Sequence, residues 1–205
     1  MTEMNRREAV GLLALAPLAA LAWSGAEVER AATLARDALD AALASGATFA
    51  PRFFTPHEWQ TVRLLADLVI PRDDRSGSAT DAGVPEFMDF MMMDRTRLQK
   101  RYRGGLEWLD AESTRRFGKS FVDSAPAERV ALLNDIAWPK KARAEMKDGV
   151  AFFNGFRDLT ASGFWSSRMG IKDLQYIGNV TVMEWKGCPE PALRKLGVSY
   201  PAGPG

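Results

Sequence analysis

The stretch Thr55-Pro56-His57-Glu58 constrains the chain more than any other, because it is a helix start with almost no other reading. A threonine side chain can accept from the first turn, proline suits the first helical position, and the glutamate three residues on can return the bond to the cap. Trp59, Val62, Leu65 or Ala66, and Val69 then recur at helical spacing, so one face is apolar until Pro71 ends the run. The same punctuation repeats downstream. Pro85 opens PEFMDFMMMDRTRLQKRYRGGLEWL, which reads as two helices broken at Gly104-Gly105. A charged helical piece continues from Asp110 to Phe121, Ser124 with Pro126 starts ERVALLNDIAW, and Pro139 breaks it. Residues 140–161 give one more amphipathic helix carrying Phe152, Phe153, Phe156 and Leu159. Strand-like alternation is scarce, so the expected fold class is mainly α.

Outside these helices the chain changes character. Residues 27–45 are alanine-rich with scattered charges and read as a helix exposed ahead of the main domain, stopped by Gly46. Residues 72–83, RDDRSGSATDAG, have loop composition. After residue 161 glycine and proline punctuate short apolar runs, which suggests an extended C-terminal segment with little core of its own. No repeat of ~20–50 residues is visible. With 205 residues, 46% of them hydrophobic, one real core is affordable. The expected organisation is therefore a leader over 1–26, a helical lead-in over 27–50, and a single helical domain over 51–205.

The leader rests on Asn5-Arg6-Arg7, which precedes a run from Ala9 to Trp23 without a charged residue. That run is short for the ~20 apolar residues that span a bilayer. It fits the core of a signal peptide, with Arg6 and Arg7 as a twin-arginine pair and small-residue cleavage sites at Ala20-Leu21-Ala22 and Ser24-Gly25-Ala26. An amphipathic N-terminal helix and an uncleaved anchor are the alternatives. Cys188 is the single cysteine, so no internal disulfide can form; in an oxidising compartment it is either buried and inert or paired with another chain.

The inventory of chemistry is thin. His57 is the sole histidine and sits in a helix's first turn, where a cap-adjacent structural role competes with that of a catalytic base. One histidine and one cysteine cannot make a cysteine–histidine zinc site. Dinucleotide, phosphate-loop and nucleophile-elbow glycine motifs are absent. Asp73, Asp74 and Asp81 lack the spacing of a calcium loop and read as turn carboxylates. A net charge of +1 gives no pull toward nucleic acid or anionic membrane. Phe87, Met88, Phe90 and Met91 to Met93 form an apolar cluster that is either core or a buried partner interface. Trp59, Trp108, Trp138, Trp165 and Trp185 are spread along the chain, as core residues or interface anchors.

In order, NRREAV with its apolar run, FTPHEWQTVRLLADLVIPRDD, DAGVPEFMDF, GGLEWLDAESTRRFGKSF, FFNGFRDLTASGFWSSRMGIKDLQYIGN and GCPEP cover most of residues 50–191. In that order they resemble the gluconate 2-dehydrogenase subunit 3 family, the small accessory subunits of membrane-bound flavoprotein sugar dehydrogenases. The resemblance implies a periplasmic complex with a large FAD-containing oxidoreductase of the glucose-methanol-choline class and a multihaem cytochrome c. It implies no cofactor, catalytic residue or metal in this chain, and membrane association only through the complex. It also implies that the twin-arginine signal serves both chains, since a flavoprotein folded around FAD cannot be threaded unfolded. The candidate interface is then the C-terminal segment with Trp165, Tyr176 and Trp185, together with Phe87, Phe90, Met91 and Met92. Cys188 becomes either an intersubunit disulfide or a free thiol. The rival readings are a stand-alone periplasmic enzyme using His57, Asp73 or Tyr176, and a structural binding protein.

Overall fold

The computed structural model describes residues 25–45, 49–176, 183 and 187–200. The leader, with Arg6 and Arg7, and Trp185 lie outside them. The fold is mainly α, with no strand among the described residues. In chain order the helices are α1 Gly25–Ser45, α2 Pro56–Val69, α3 Val84–Asp94, α4 Thr96–Phe117, α5 Pro126–Ile136, α6 Lys147–Ser166, α7 Arg168–Asp173 and α8 Glu190–Leu196, with a 3₁₀ turn at Ala144–Met146. The chain divides into two compact units: one runs through Gln175, and the other begins at Tyr176. The second contains α8, none of whose residues is buried.

The expected start of α2 is formed in full. The Glu58 N–H donates to Thr55 Oγ1 at 3.3 Å, and the Glu58 carboxylate accepts from the Thr55 N–H at 2.7 Å. Arg103 on α4 reaches the same Glu58 at 3.0 Å and donates to the Phe53 carbonyl at 2.9 Å, while stacking on the Phe53 ring. The start of α5 differs from expectation. Ala125 holds the cap position, and Glu128 accepts from its N–H at 2.7 Å, whereas the Ser124 hydroxyl is buried against Ser113.

α3 is the central helix. Val84, Phe87, Met88, Met91 and Met92 are buried, and so are its carboxylates Glu86 and Asp89. Asp89 is satisfied by three backbone donors: the Arg52 N–H at 2.8 Å, Phe53 at 2.9 Å and Phe54 at 3.3 Å. A carboxylate so surrounded recovers much of its lost hydration. Glu86 fares worse, because its Oε2 has no hydrogen-bond partner and its nearest cation, Arg63, is 3.9 Å away.

The alanine-rich helix is not an exposed lead-in. α1 packs on α3 and α6 through Ala31, Ala32 and Ala35, each 4% exposed, and Glu27 and Arg30 pair with Arg95 and Asp94 at the α3–α4 junction. Alanine gives it this role: a face without long side chains lets one helix axis approach another closely.

The Gly104-Gly105 pair does not break a helix either. The break falls at Arg95, and α4 continues to Phe117, where Gly118 at φ 72° closes it in the left-handed conformation. Gly105 is instead a packing notch. A Cβ there would stand 1.9 Å from the Phe152 ring of α6, and one on Gly149 of α6 would stand 2.2 Å from the Trp108 ring of α4. The two helices thus exchange glycines against aromatic rings, with the Tyr102 hydroxyl donating to the Gly155 carbonyl at 3.1 Å between them.

Two predictions follow from this packing. Gly105→Ala is expected to lower stability by about 1–3 kcal/mol, because overpacking outweighs the gain in helix propensity. Gly104→Ala, with nothing within 4 Å of the new methyl, is expected to raise stability by about 0.5–1 kcal/mol; thermal unfolding of the two neighbours should shift in opposite directions.

Burial, opposed by its own backbone N–H and Arg63, holds the Glu86 carboxyl above the ordinary range. The folded state therefore binds the proton more tightly than the unfolded one, so this group's contribution falls as pH rises from the ordinary carboxyl range through the raised value. Glu86→Gln should be more stable than the parent at pH 7 and lose that advantage near pH 4, as read by urea unfolding at the two pH values.

Candidate partner interface

Phe87, Met91 and Met92 are covered by this chain's own helices, with exposures of 2%, 0% and 0%, and offer no surface to a partner in the folded chain. This corrects their expected interface role: α3 is enclosed by α1, α2, α4 and α6, so the apolar cluster is used up inside the fold. Phe90 is half-buried and meets Phe49 edge to face at 6.1 Å. Met93 alone of the methionine run is exposed.

The C-terminal candidates are different. Trp165 is 40% exposed at the end of α6, its ring standing edge-on to buried Phe164 at 4.9 Å. The chain then turns sharply into α7. The Ser167 hydroxyl accepts from the Gly170 N–H at 3.0 Å and caps that helix. Gly170 packs so closely on the end of α6 that a Cβ would lie 2.0 Å from the Phe164 carbonyl oxygen. Arg75 fastens the far end of α7, donating to the Asp173 carbonyl at 2.5 Å and pairing with its carboxylate at 2.9 Å. Ile171 and Leu174, three residues apart, face solvent next to this corner, at 38% and 56% exposure. Trp165, Ile171 and Leu174 are thus three large exposed apolar side chains within ten residues of sequence, with Arg168 and Lys172 among them.

The sequence missed Ile171 and Leu174 because α7 is too short to show a periodicity. Its usable signal is Ser167 followed three residues later by Gly170, which marks a capped turn. In the second unit, Tyr176 is exposed, and Cys188 is an exposed free thiol whose backbone N–H donates to the Tyr200 hydroxyl at 2.7 Å.

The remaining polar candidates have local partners. His57 Nε2 lies 2.5 Å from Asp110 Oδ2, and the other oxygen of Asp110 accepts from the Phe121 N–H at 2.8 Å, so the histidine ties α2 to α4. Asp73 accepts from the Arg75 and Ser76 N–H groups within its own turn. Asp81 accepts from Ser78 N–H at 2.7 Å and pairs with Arg72 at 2.6 Å; the Ser78 bonds, then Arg72, hold its carboxyl below the ordinary range against the effect of burial. Asp73 and Asp81 are thus turn-forming carboxylates. Among the described residues no group of three or more histidine, cysteine, aspartate or glutamate side chains could hold a metal ion, and no helix is long and apolar enough to cross a membrane. The cleft where α1, α3 and α6 meet has a volume of about 10 Å³, room for roughly one water.

A scan against protein families matches gluconate 2-dehydrogenase subunit 3 over residues 56–186, and the chain belongs to that family. It is accordingly an accessory subunit of a dehydrogenase complex. Searches of the curated proteins and of the solved structures returned no match.

Gly170→Ala tests how the apolar corner is held. A methyl group cannot share the space of the Phe164 carbonyl, so α7 should leave its seat. The expected result is faster proteolysis between residues 168 and 175, with the thermal transition of the helical core lowered by only a few degrees.

Proposed function

We propose that this chain is the non-catalytic small subunit of a periplasmic, FAD-dependent dehydrogenase complex acting on a sugar or sugar acid. Its task in that reading is to assemble with the large flavoprotein of the glucose-methanol-choline class and carry it through the twin-arginine route. FAD belongs to the large subunit, which passes electrons to a multihaem cytochrome c. The observation that carries the docking role is the exposure of Trp165, Ile171 and Leu174 at the end of α6 and beyond it. Large apolar side chains exposed close together in sequence gain about 25 cal/mol for each Å² covered by a partner, and tryptophan is a favoured interface anchor.

Export supplies the second part. Arg6-Arg7 before an uncharged apolar run is the signature of a signal for folded cargo, and a flavoprotein loaded with FAD is such a cargo. Association must then precede translocation, which favours an apolar interface over rim charge. Cys188, exposed and without an internal cysteine partner, is suited to a disulfide with the large subunit.

Leu174→Asp combined with Trp165→Asp should reduce co-purification of the large subunit at least tenfold while leaving the helical spectrum of this chain unchanged. Arg6→Lys with Arg7→Lys should leave the complex assembled but strand its dye-linked sugar oxidation in the cytoplasm. Undiminished co-purification in the first experiment would refute the interface, and unchanged periplasmic activity in the second would refute the carrier role. Non-reducing electrophoresis of the complex with and without Cys188→Ser reads out the disulfide.

A further inference from the structure

The segment between α5 and α6 is chemically distinct from the docking corner. Trp138 is 38% exposed, and its carbonyl accepts from the N–H groups of both Lys141 and Ala142 at 2.9 Å, so residues 138–142 form a tight turn. Pro139, Lys140 and Lys141 on that turn, and Lys147 at the start of α6, are all exposed. The Lys141 ammonium lies 5.9 Å from the centre of the Trp138 ring.

Of the carboxylates nearby in sequence, Asp148 is exposed beside Lys147, and the other two are engaged elsewhere. Asp135 pairs with Arg116 at 2.7 Å, and Glu145 with Arg143 at 3.3 Å. Lys140, Lys141 and Lys147 have no carboxylate within 4.0 Å among the described residues. The turn WPKKA at 138–142 thus carries two lysines and no acidic residue beside one exposed indole, a local excess that the net charge of +1 conceals. Eight residues before Trp138, Val130 on α5 adds an exposed apolar side chain at 46%.

We infer that this turn is a contact for an anionic lipid surface, with Trp138 at headgroup depth and Lys140 and Lys141 facing lipid phosphates. Tryptophan prefers the membrane–water boundary, where its apolar ring and its N–H are both accommodated. Lysines beside it contribute attraction to anionic headgroups that falls off within a Debye length. Lipid fits better than a peptide or folded partner because the site is a turn with every tip residue exposed. It offers no groove for a side chain to fill, whereas a fluid headgroup layer needs none. The contact would set the orientation of the subunit against the bilayer, and it does not depend on the export reading.

The test uses the full chain with a local probe, because the apolar run at residues 9–23 can itself bring the protein to a vesicle. In a Cys188→Ser background, Pro139→Cys carries a polarity-sensitive fluorophore. Titration with vesicles of equal phosphatidylglycerol and phosphatidylcholine at 0.1 M salt should shift the emission to the blue, and phosphatidylcholine alone should not. Raising the salt to 1 M should reverse the shift, and Lys140→Gln with Lys141→Gln should raise the half-saturating lipid concentration at least tenfold. The same lysine pair should leave co-purification of the large subunit unchanged, which separates this inference from the docking corner. No blue shift, a shift insensitive to the lysines, or a shift produced by the purified large subunit in place of vesicles would each overturn it.

Discussion

Almost complete enclosure of α3 is the constraint on which the rest of the structure depends. Phe87, Met88, Met91 and Met92 each gain about 1.5–3 kcal/mol from full burial, but the same enclosure takes Asp89 and Glu86 out of water. Asp89 is compatible with that because the Arg52–Phe54 backbone turns its N–H groups toward it. The turn is held from its other side by Arg103, which ties the Phe53 carbonyl and Glu58 to α4. A single carboxylate thus fixes where the chain enters α2, and through α2 the position of α4.

Enclosing one helix on several sides also dictates what its neighbours can be made of. α1 reaches α3 with Ala31, Ala32 and Ala35, and α6 reaches it with Gly163, where a Cβ would be 2.7 Å from the Phe87 ring. The same economy operates between α4 and α6, where Gly105 and Gly149 receive Phe152 and Trp108. Close backbone approach at these places leaves aromatic side chains as the filling. The turn into α7 repeats the device at Gly170, and there it leaves Trp165, Ile171 and Leu174 outside.

Much of this was legible in the residues. The Thr55–Glu58 capping box, the proline starts at Pro56, Pro85 and Pro126, and the end near Pro71 are local signals, satisfied within a few residues whatever the rest of the chain does. The Asp73 and Asp81 turns are local in the same sense. What misled was glycine. Gly104-Gly105 has the look of a break, yet helix propensity is a weak preference that a ring seated in the notch easily overrides. The alanine helix looked detached because alanine carries no signal of which surface it will meet. Phe87, Met91 and Met92 looked like interface because a run of buried residues on every side of a helix has no periodicity to show which side is inward.

The sequence by itself determined the helical class, most helix starts and the family, since capping, proline geometry and the ordered motifs are all written in contiguous residues. Tertiary structure alone decided which apolar residues are spent inside. Burial depends on what arrives from far along the chain: α1 and α6 close over α3, while none of the described residues of the first unit closes over Trp165, Ile171 and Leu174. Composition cannot separate two apolar clusters of similar make-up, and only the packing around them makes one a core and leaves the other a surface.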